Sequence, residues 1–255
     1  MLIDPNNGTS TTLTLSTLTA PTAAGSSLTL GKAVTANTGN VAISSTTDKD
    51  ATGIYGGRIV FADGTANTGY DWATTASGVA PFTLSSYGGY SALDLTAGSD
   101  TLNSKVTASQ FLGGDRVTNT LKIEDPAAIQ NLDLGANLLT LTGGGLLVTG
   151  TNGTTISGTS GATRLMGSAS GDLVISQYNS GGLNISAVIG NNGGATALTK
   201  TGTAPLTLSG SNTFTGGLFI NSGNLVLGDP GALNSTPGSE NAVTFAATDI
   251  KILSL

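Results

Sequence analysis

The 255-residue sequence contains no cysteine and no histidine. Disulfides, thiol nucleophiles and histidine-ligated metals are therefore excluded, and a Ser-His-Asp triad cannot be assembled. Any general acid or base would have to be a carboxylate, a lysine or a tyrosine. We accordingly expect a protein that is not an enzyme, with no catalytic residue, no cofactor and no metal.

Charged residues are also scarce, at 9% of the chain, and the net charge is −6. Because basic residues are so few, nucleic acid is not an expected partner. The sequence shows no apolar run of the roughly 18 residues that a transmembrane helix needs. Its first residues have neither the basic nor the apolar region of a secretory signal peptide, so that signal is expected outside this sequence.

Glycine is abundant, with 38 residues, and Gly/Asn clusters punctuate short apolar runs. These runs alternate apolar and polar positions, as in Leu28-Thr29-Leu30, Leu121-Lys122-Ile123 and Leu206-Thr207-Leu208. Alternation places one set of side chains inward and the other outward, which is typical of β-strands. Only residues 125–131 have weak helical character, and Pro126 near their start predicts a single turn at most.

Short strands with frequent turns are compatible with an antiparallel sandwich or barrel, or with a solenoid of stacked coils. The phrase Leu-Thr-Leu recurs at positions 13, 28, 139 and 206, and this loose repeat favours the solenoid. We therefore predict an all-β fold, a parallel β-helix or β-solenoid. A coil of about 20 to 25 residues predicts roughly ten to twelve coils.

The predicted organisation is a single elongated domain over residues 1–255. Within it, residues 1–53 are expected to form irregular or capping coils, and residues 54–130 coils that contain aromatic side chains. Residues 131–255 are expected to form regular coils, with the most specific motif at 198–233.

That motif consists of four phrases of Leu, Thr, Asn and Gly: Leu198-Thr199-Lys200-Thr201-Gly202, Leu206-Thr207-Leu208-Ser209-Gly210, Asn212-Thr213-Phe214-Thr215-Gly216-Gly217 and Ile220-Asn221-Ser222-Gly223-Asn224-Leu225. It resembles the passenger-associated transport repeat of autotransporter proteins, also called the autotransporter-associated beta strand repeat. Ala204-Pro205 and Leu218-Phe219 depart from the family's usual residues.

The resemblance implies a right-handed β-helical passenger protein of a Gram-negative bacterium. Such a passenger is exported through a C-terminal β-barrel, so a translocator barrel is the expected partner in the parent protein, and the location is extracellular or at the cell surface. The implied function is structural: a scaffold segment that supports export and surface display. Exposed strands at the ends of a solenoid would also allow end-to-end self-association.

Three polar residues of the repeat have expected positions that follow from their chemistry. Lys200 is predicted to face solvent, where its charge would discourage pairing with other sheets. Asn212 and Asn221 are predicted to cap backbone groups at turns, or to stack on their counterparts in the next coil.

Aromatic residues are concentrated in the region 54–90: Tyr55, Phe61, Tyr70, Trp72, Phe82, Tyr87 and Tyr90. An exposed row of such rings could stack on sugar faces. The alternative function is therefore an adhesin module that binds surface glycans through Tyr70, Trp72, Tyr87 and Tyr90. Against this stands the commoner outcome, in which the rings fill the core.

The best carboxylate groupings are Asp94 and Asp100 near Asp115 and Arg116, and the run Asp48-Lys49-Asp50. A polysaccharide-degrading enzyme would need two carboxyl groups roughly 5 to 10 Å apart, and nothing in the sequence spacing indicates such a pair. We interpret 48–50 as a solvated loop tip and Asp115-Arg116 as a local ion pair.

Overall fold

The computed structural model describes residues 2–3, 11–32, 39–44, 48–75, 80–125, 128, 130–159, 161, 163–234, 241–246 and 252–254. In these ranges the chain forms 27 strands and no helix, so the predicted all-β class is confirmed. Over the same ranges, no helix has the length and apolarity needed to cross a membrane. Pro126 and Ile129, within the stretch with weak helical character, lie outside the described residues.

The first seven strands form one mixed sheet, which we call the N-terminal sheet: β1 Leu2–Ile3, β2 Thr11–Leu15, β3 Leu28–Lys32, β4 Gly39–Ile43, β5 Ile59–Ala62, β6 Tyr70–Thr75 and β7 Phe82–Ser86. Their order is β1-β3-β5-β6-β7-β4-β2. Strands β5, β6, β7 and β4 pair antiparallel, whereas the outer pairings are parallel. Buried side chains such as Ile43, Tyr55 and Ile59 form its own apolar cluster.

The remaining strands form the solenoid: β8 Ser91–Ala92, β9 Gly98–Ser99, β10 Asn103–Val106, β11 Gln110–Phe111, β12 Arg116–Thr118, β13 Thr120–Asp125, β14 Gln130–Asp133, β15 Leu138–Leu141, β16 Gly145–Gly150, β17 Thr154–Ser157, β18 Arg164–Met166, β19 Asp172–Gln177, β20 Leu183–Ile185, β21 Val188–Gly190, β22 Ala197–Thr201, β23 Leu206–Leu208, β24 Leu218–Ile220, β25 Leu225–Leu227, β26 Val243–Phe245 and β27 Ile252–Ser254. They stack as three parallel sheets of eight, seven and five strands, which we call the first, second and third solenoid sheets.

Successive coils differ in length although their strands stay in register. Leu121 is level with Leu146, Leu146 with Ile175, and Leu198 with Leu218, so these coils take 25, 29 and 20 residues. The eight strands of the first solenoid sheet correspond to eight coils in the described residues. This is fewer than the ten to twelve expected, because the first seven strands build the N-terminal sheet instead of coils.

The core of the solenoid consists of files of apolar side chains that run from coil to coil. Leu173, Leu198 and Leu218 are level with one another in β19, β22 and β24, and all three are fully buried. Burying one leucine side chain stabilises a fold by about 1.5–3 kcal/mol. Each coil therefore depends on its neighbours for most of its apolar burial.

The N-terminal sheet packs on the outer face of the first solenoid sheet. Trp72, Val60 and Ile54 form a buried cluster with Leu147 and Tyr178, whose side chains point out of the solenoid. All six residues of β16 are buried as a result, including both faces of the strand. Two backbones touch at this interface, since a Cβ atom at Gly145 would lie 2.6 Å from Gly57 Cα.

Candidate functional site

The four aromatic residues named from the sequence all lie at the interface between the N-terminal sheet and the solenoid. Tyr70 and Trp72 occupy alternate positions of β6 and so share the face turned toward the solenoid. The Tyr70 ring stacks on Tyr178, with ring centroids 3.6 Å apart, and Trp72 is 0% exposed. Tyr87 and Tyr90 meet edge to face at 5.0 Å and are half-buried.

This placement differs from an exposed row of rings. Trp72 offers no face to a ligand because it fills the interface, as the core-filling alternative describes. Glycan binding by the four residues stays a prediction, and only the partly exposed rings could take part in it.

A charged network lies beside these rings. The Asp71 Oδ1 accepts hydrogen bonds from the Trp72 backbone N–H, at 2.9 Å, and from the Tyr90 hydroxyl. The Asp71 Oδ2 accepts one from Lys122 Nζ, also at 2.9 Å. Glu124 Oε1 is 4.0 Å from the same Nζ.

The two carboxyl groups of this network have pKa values that shift in opposite directions. Burial raises the pKa of Asp71, although Lys122 and the Tyr90 hydroxyl act to lower it. Burial also acts to raise the pKa of Glu124, but Lys105 and Lys122 together hold it below its ordinary value. Burial and the neighbouring Asp71 raise the pKa of Tyr90. Burial thus favours the protonated form of Asp71, whereas the two lysines favour the ionised form of Glu124.

The sequence interpretation missed this network because Asp71 and Lys122 lie 51 residues apart in the sequence. The alternation in β13 does place Lys122 and Glu124 on the outer face, opposite the buried Leu121 and Ile123. The signal available in the sequence was two charges at alternate positions of one strand, which alternation places on the same face.

Further polar contacts fasten the N-terminal residues to later coils. Arg58 pairs with Asp172 at 2.9 Å, and the same carboxylate accepts the Gly25 backbone N–H at 2.9 Å. The hydroxyl groups of Thr29 and Tyr178 are 2.7 Å apart. The interface thus reaches well beyond the aromatic cluster.

The carboxylates considered for catalysis are organised by Arg116. The predicted ion pair between Asp115 and Arg116 is wrong. Arg116 pairs with Asp94 at 3.1 Å and also with Asp100, whereas Asp115 accepts the Leu138 backbone N–H at 2.8 Å. Asp115 precedes β12, and its carboxylate caps the start of β15 in the next coil instead of meeting Arg116. One arginine shared by two carboxylates offsets one of their two negative charges, and the arrangement is that of a structural ion cluster.

The run 48–50 is likewise not a solvated tip, since all three of its residues are half-buried. Asp50 Oδ1 accepts the Thr52 backbone N–H at 2.9 Å, which forms a local turn, and Oδ2 accepts Asn119 Nδ2 at 3.2 Å. Across the described part of the chain, no group of three or more acidic residues is placed to hold a metal ion.

The repeat predicted at 198–233 forms strands β22 to β25. Lys200 does not face solvent as predicted: it is 0% exposed and stands in the inner file between Ile175 and Ile220. Its ammonium donates to the carbonyl oxygens of Gly202 at 2.6 Å and Ser222 at 2.9 Å, which belong to successive coils. Burial lowers the pKa of Lys200 to about 7.

The two asparagines of the repeat differ in their partners. Asn212 is buried and caps backbone groups as predicted, because its side chain accepts the Ile189 N–H at 2.8 Å and donates to the Ala232 carbonyl at 2.7 Å. Asn221 caps a backbone group of the N-terminal region instead of the next coil, donating to the Gly25 carbonyl at 2.8 Å.

Comparison with protein-family models matches residues 198–227 to the passenger-associated-transport-repeat. Comparisons with curated proteins and with solved structures gave no match. The match covers β22 to β25, with Lys200 in β22 and with Asn212 and Phe214 in the connection between β23 and β24. Residues 198–227 are therefore a passenger-associated transport repeat, the repeat of autotransporter passenger proteins.

Proposed function

We propose that this chain is a structural segment of an autotransporter-like passenger protein, which supports export and display at the surface of a Gram-negative bacterium. The observation that carries the proposal is the transport repeat at 198–227, in which the buried Lys200 and Asn212 donate to backbone carbonyl groups of adjoining coils. These contacts join each coil to the next, as a segment built for stacking requires.

A solenoid of this kind folds by addition, because each completed coil offers a strand edge and an apolar face to the next. In the repeat, β24 pairs with β22 and β25 with β23, and Phe214 is fully buried between them and the neighbouring coils. Folding outside the cell would then retain the emerging chain and favour its export. The partner that this function requires is a translocator barrel in the parent protein.

The experiment places the chain between a secretory signal peptide and a translocator barrel in a Gram-negative host. Surface display is measured by antibody labelling of intact cells and by the removal of the label with external protease. We expect the wild type to be displayed and Phe214→Ala to show reduced display, because the repeat loses its central side chain. Thr213→Ala, at the exposed neighbouring position, is the matched control. Equal display of all three proteins would contradict the proposal.

The adhesin alternative rests on Tyr87 and Tyr90, whose rings are partly exposed at the margin of the interface. It is tested by co-sedimentation of the purified chain with insoluble cellulose and chitin. An adhesin predicts retention that Tyr87→Ala abolishes while circular dichroism stays unchanged. A scaffold predicts no retention of either protein.

A further inference from the structure

The ion pair between Lys122 and Asp71 is far more buried than an ordinary surface ion pair. The side chains are 3% and 15% exposed, and the Nζ and Oδ2 atoms are 2.9 Å apart. Lys122 belongs to the solenoid and Asp71 to the N-terminal sheet. A primary amine is thus held against a carboxyl group in a site from which water is largely excluded.

We propose that Lys122 and Asp71 condense to an intramolecular isopeptide bond that joins the N-terminal sheet covalently to the solenoid. The new bond links Lys122 Nζ to Asp71 Cγ, and the bond from Cγ to Oδ2 breaks. The ammonium and carboxylate together yield one amide and one water molecule, so the reaction needs no oxidant, reductant or activated co-reactant.

The surroundings of Asp71 match what the attack on its carboxyl carbon requires. Negative charge develops on Oδ1 in the tetrahedral intermediate, and Oδ1 already accepts the Trp72 N–H and the Tyr90 hydroxyl. Two donors fixed on such an oxygen are the arrangement that stabilises an oxyanion. Burial also raises the pKa of Asp71, which favours the neutral acid that an amine can attack. The proton on that acid is one of the two that leave Lys122 Nζ, so no extra proton enters the reaction.

Glu124 is the group that moves the protons. Its Oε1 is 4.0 Å from Lys122 Nζ, while its Oε2 accepts Lys105 Nζ at 2.8 Å. As a carboxylate, Glu124 takes one proton from the Lys122 ammonium, which frees the electron pair for attack. It then returns that proton to the departing Oδ2, and a second proton from Nζ completes the water molecule.

Condensation is unfavourable for free acids and amines in water, but the fold changes this balance. Proximity lowers the barrier to attack, with effective molarities of about 10⁵–10⁸ M for well-oriented groups. The fold favours the product because amide formation frees one water molecule from a buried ion pair. The same burial keeps water from the product amide.

Other ion pairs in the described residues lack one of these features. Asp172 pairs with Arg58, and Asp100 pairs with Arg116. Neither pair can condense in this way, because a guanidinium is a poor nucleophile. The pair of Lys105 and Glu124 is about one-third exposed on each side, so water reaches it.

The test is the intact mass of the purified, folded chain. We expect a mass about 18 Da below that of the sequence, which is the loss of one water on amide formation. Tryptic digestion should give a branched peptide in which residues 59–105 are joined to residues 117–164, because a modified Lys122 resists cleavage. A mass equal to that of the sequence overturns the proposal, as does a branched peptide that joins a different lysine.

Variants separate the roles of the groups. Lys122→Arg keeps the charge but removes the nucleophile, so the full mass should return. Glu124→Gln should slow the loss of water at least tenfold in freshly refolded protein. Lys49→Arg is the matched control and should show the wild-type mass. Mass loss in Lys122→Arg would overturn the assignment, and a wild-type rate in Glu124→Gln would overturn the proton transfer.

Discussion

The contact between Gly145 and Gly57 predicts that one methyl group will separate the N-terminal sheet from the solenoid. In Gly145→Ala the added Cβ would lie 2.6 Å from Gly57 Cα and 2.8 Å from a ring carbon of Trp72. Ordinary contacts of a Cβ atom lie at 3.4–4 Å. The two surfaces must therefore move apart by about 0.8 Å, a distance that forfeits a good part of the dispersion contacts of the interface.

Extra volume in a packed interior destabilises a protein by about 1–3 kcal/mol. We expect the upper end, about 3 kcal/mol, because the atoms met at Gly57 belong to the backbone and cannot rotate away. The lost stability should be confined to the interface cluster that includes Trp72 and Leu147, whereas the apolar files inside the solenoid stay packed.

The assay uses the single tryptophan of the chain as its reporter. Trp72 fluorescence should shift to the red at a lower urea concentration in Gly145→Ala than in the wild type. The loss of the circular dichroism signal, which reports unfolding of the solenoid, should occur at a higher urea concentration. Gly88→Ala is the control, because a Cβ atom there meets nothing within 4 Å. Identical fluorescence midpoints for Gly145→Ala, Gly88→Ala and the wild type would refute the packing described for this interface.

Three further predictions concern the solenoid itself. Phe214→Ala should lower the free energy of unfolding by about 3–5 kcal/mol, and Thr213→Ala by almost nothing, in urea denaturation; equal losses would show that Phe214 is not packed. Burial lowers the pKa of Lys200 to about 7, so from pH 7 to 9 the unfolded chain binds more protons and stability should rise by up to about 1.4 kcal/mol per pH unit. Urea midpoints at three pH values test this, and Lys200→Met should abolish the rise. Arg116→Ala should cost about 2 kcal/mol, because it leaves Asp100 without its cation; an unchanged thermal midpoint would contradict the ion cluster.

No histidine or cysteine side chain contributes to the pH dependence of stability in the range where Lys200 does. The chain has no histidine and no cysteine, the side chains that ordinarily titrate in this range. Below pH 7 the lysine is protonated in both states, so this contribution to the pH dependence disappears there.

The strands and the stacked coils could be predicted because alternation and turn residues are local signals. Leu206-Thr207-Leu208 was predicted as a strand and is β23, and Leu121-Lys122-Ile123 lies within β13. The antiparallel pairing of β5, β6 and β7 could not be predicted in the same way. Alternation is the same in parallel and antiparallel strands, so it does not identify which strand pairs with which.

The position of Lys200 shows a conflict between two signals. Period-two alternation places it on the face of the buried Leu198, whereas the general preference of lysine for solvent indicates the opposite face. The alternation was correct, because the corners after β22 and β24 supply carbonyl oxygens that replace water around the ammonium. The candidate site was missed for a different reason, since Asp71 and Lys122 are brought together by long-range packing.

The way in which the N-terminal sheet lies along the solenoid has a mechanical consequence. The N-terminal region contacts the solenoid from Asn103 in β10 to Asn221 just after β24, six strands along the first solenoid sheet. A bare solenoid pulled along its axis would peel open one coil at a time, because each coil is held only by its neighbours. Here the N-terminal region bridges several coils, so these coils must share an axial force and unfold together.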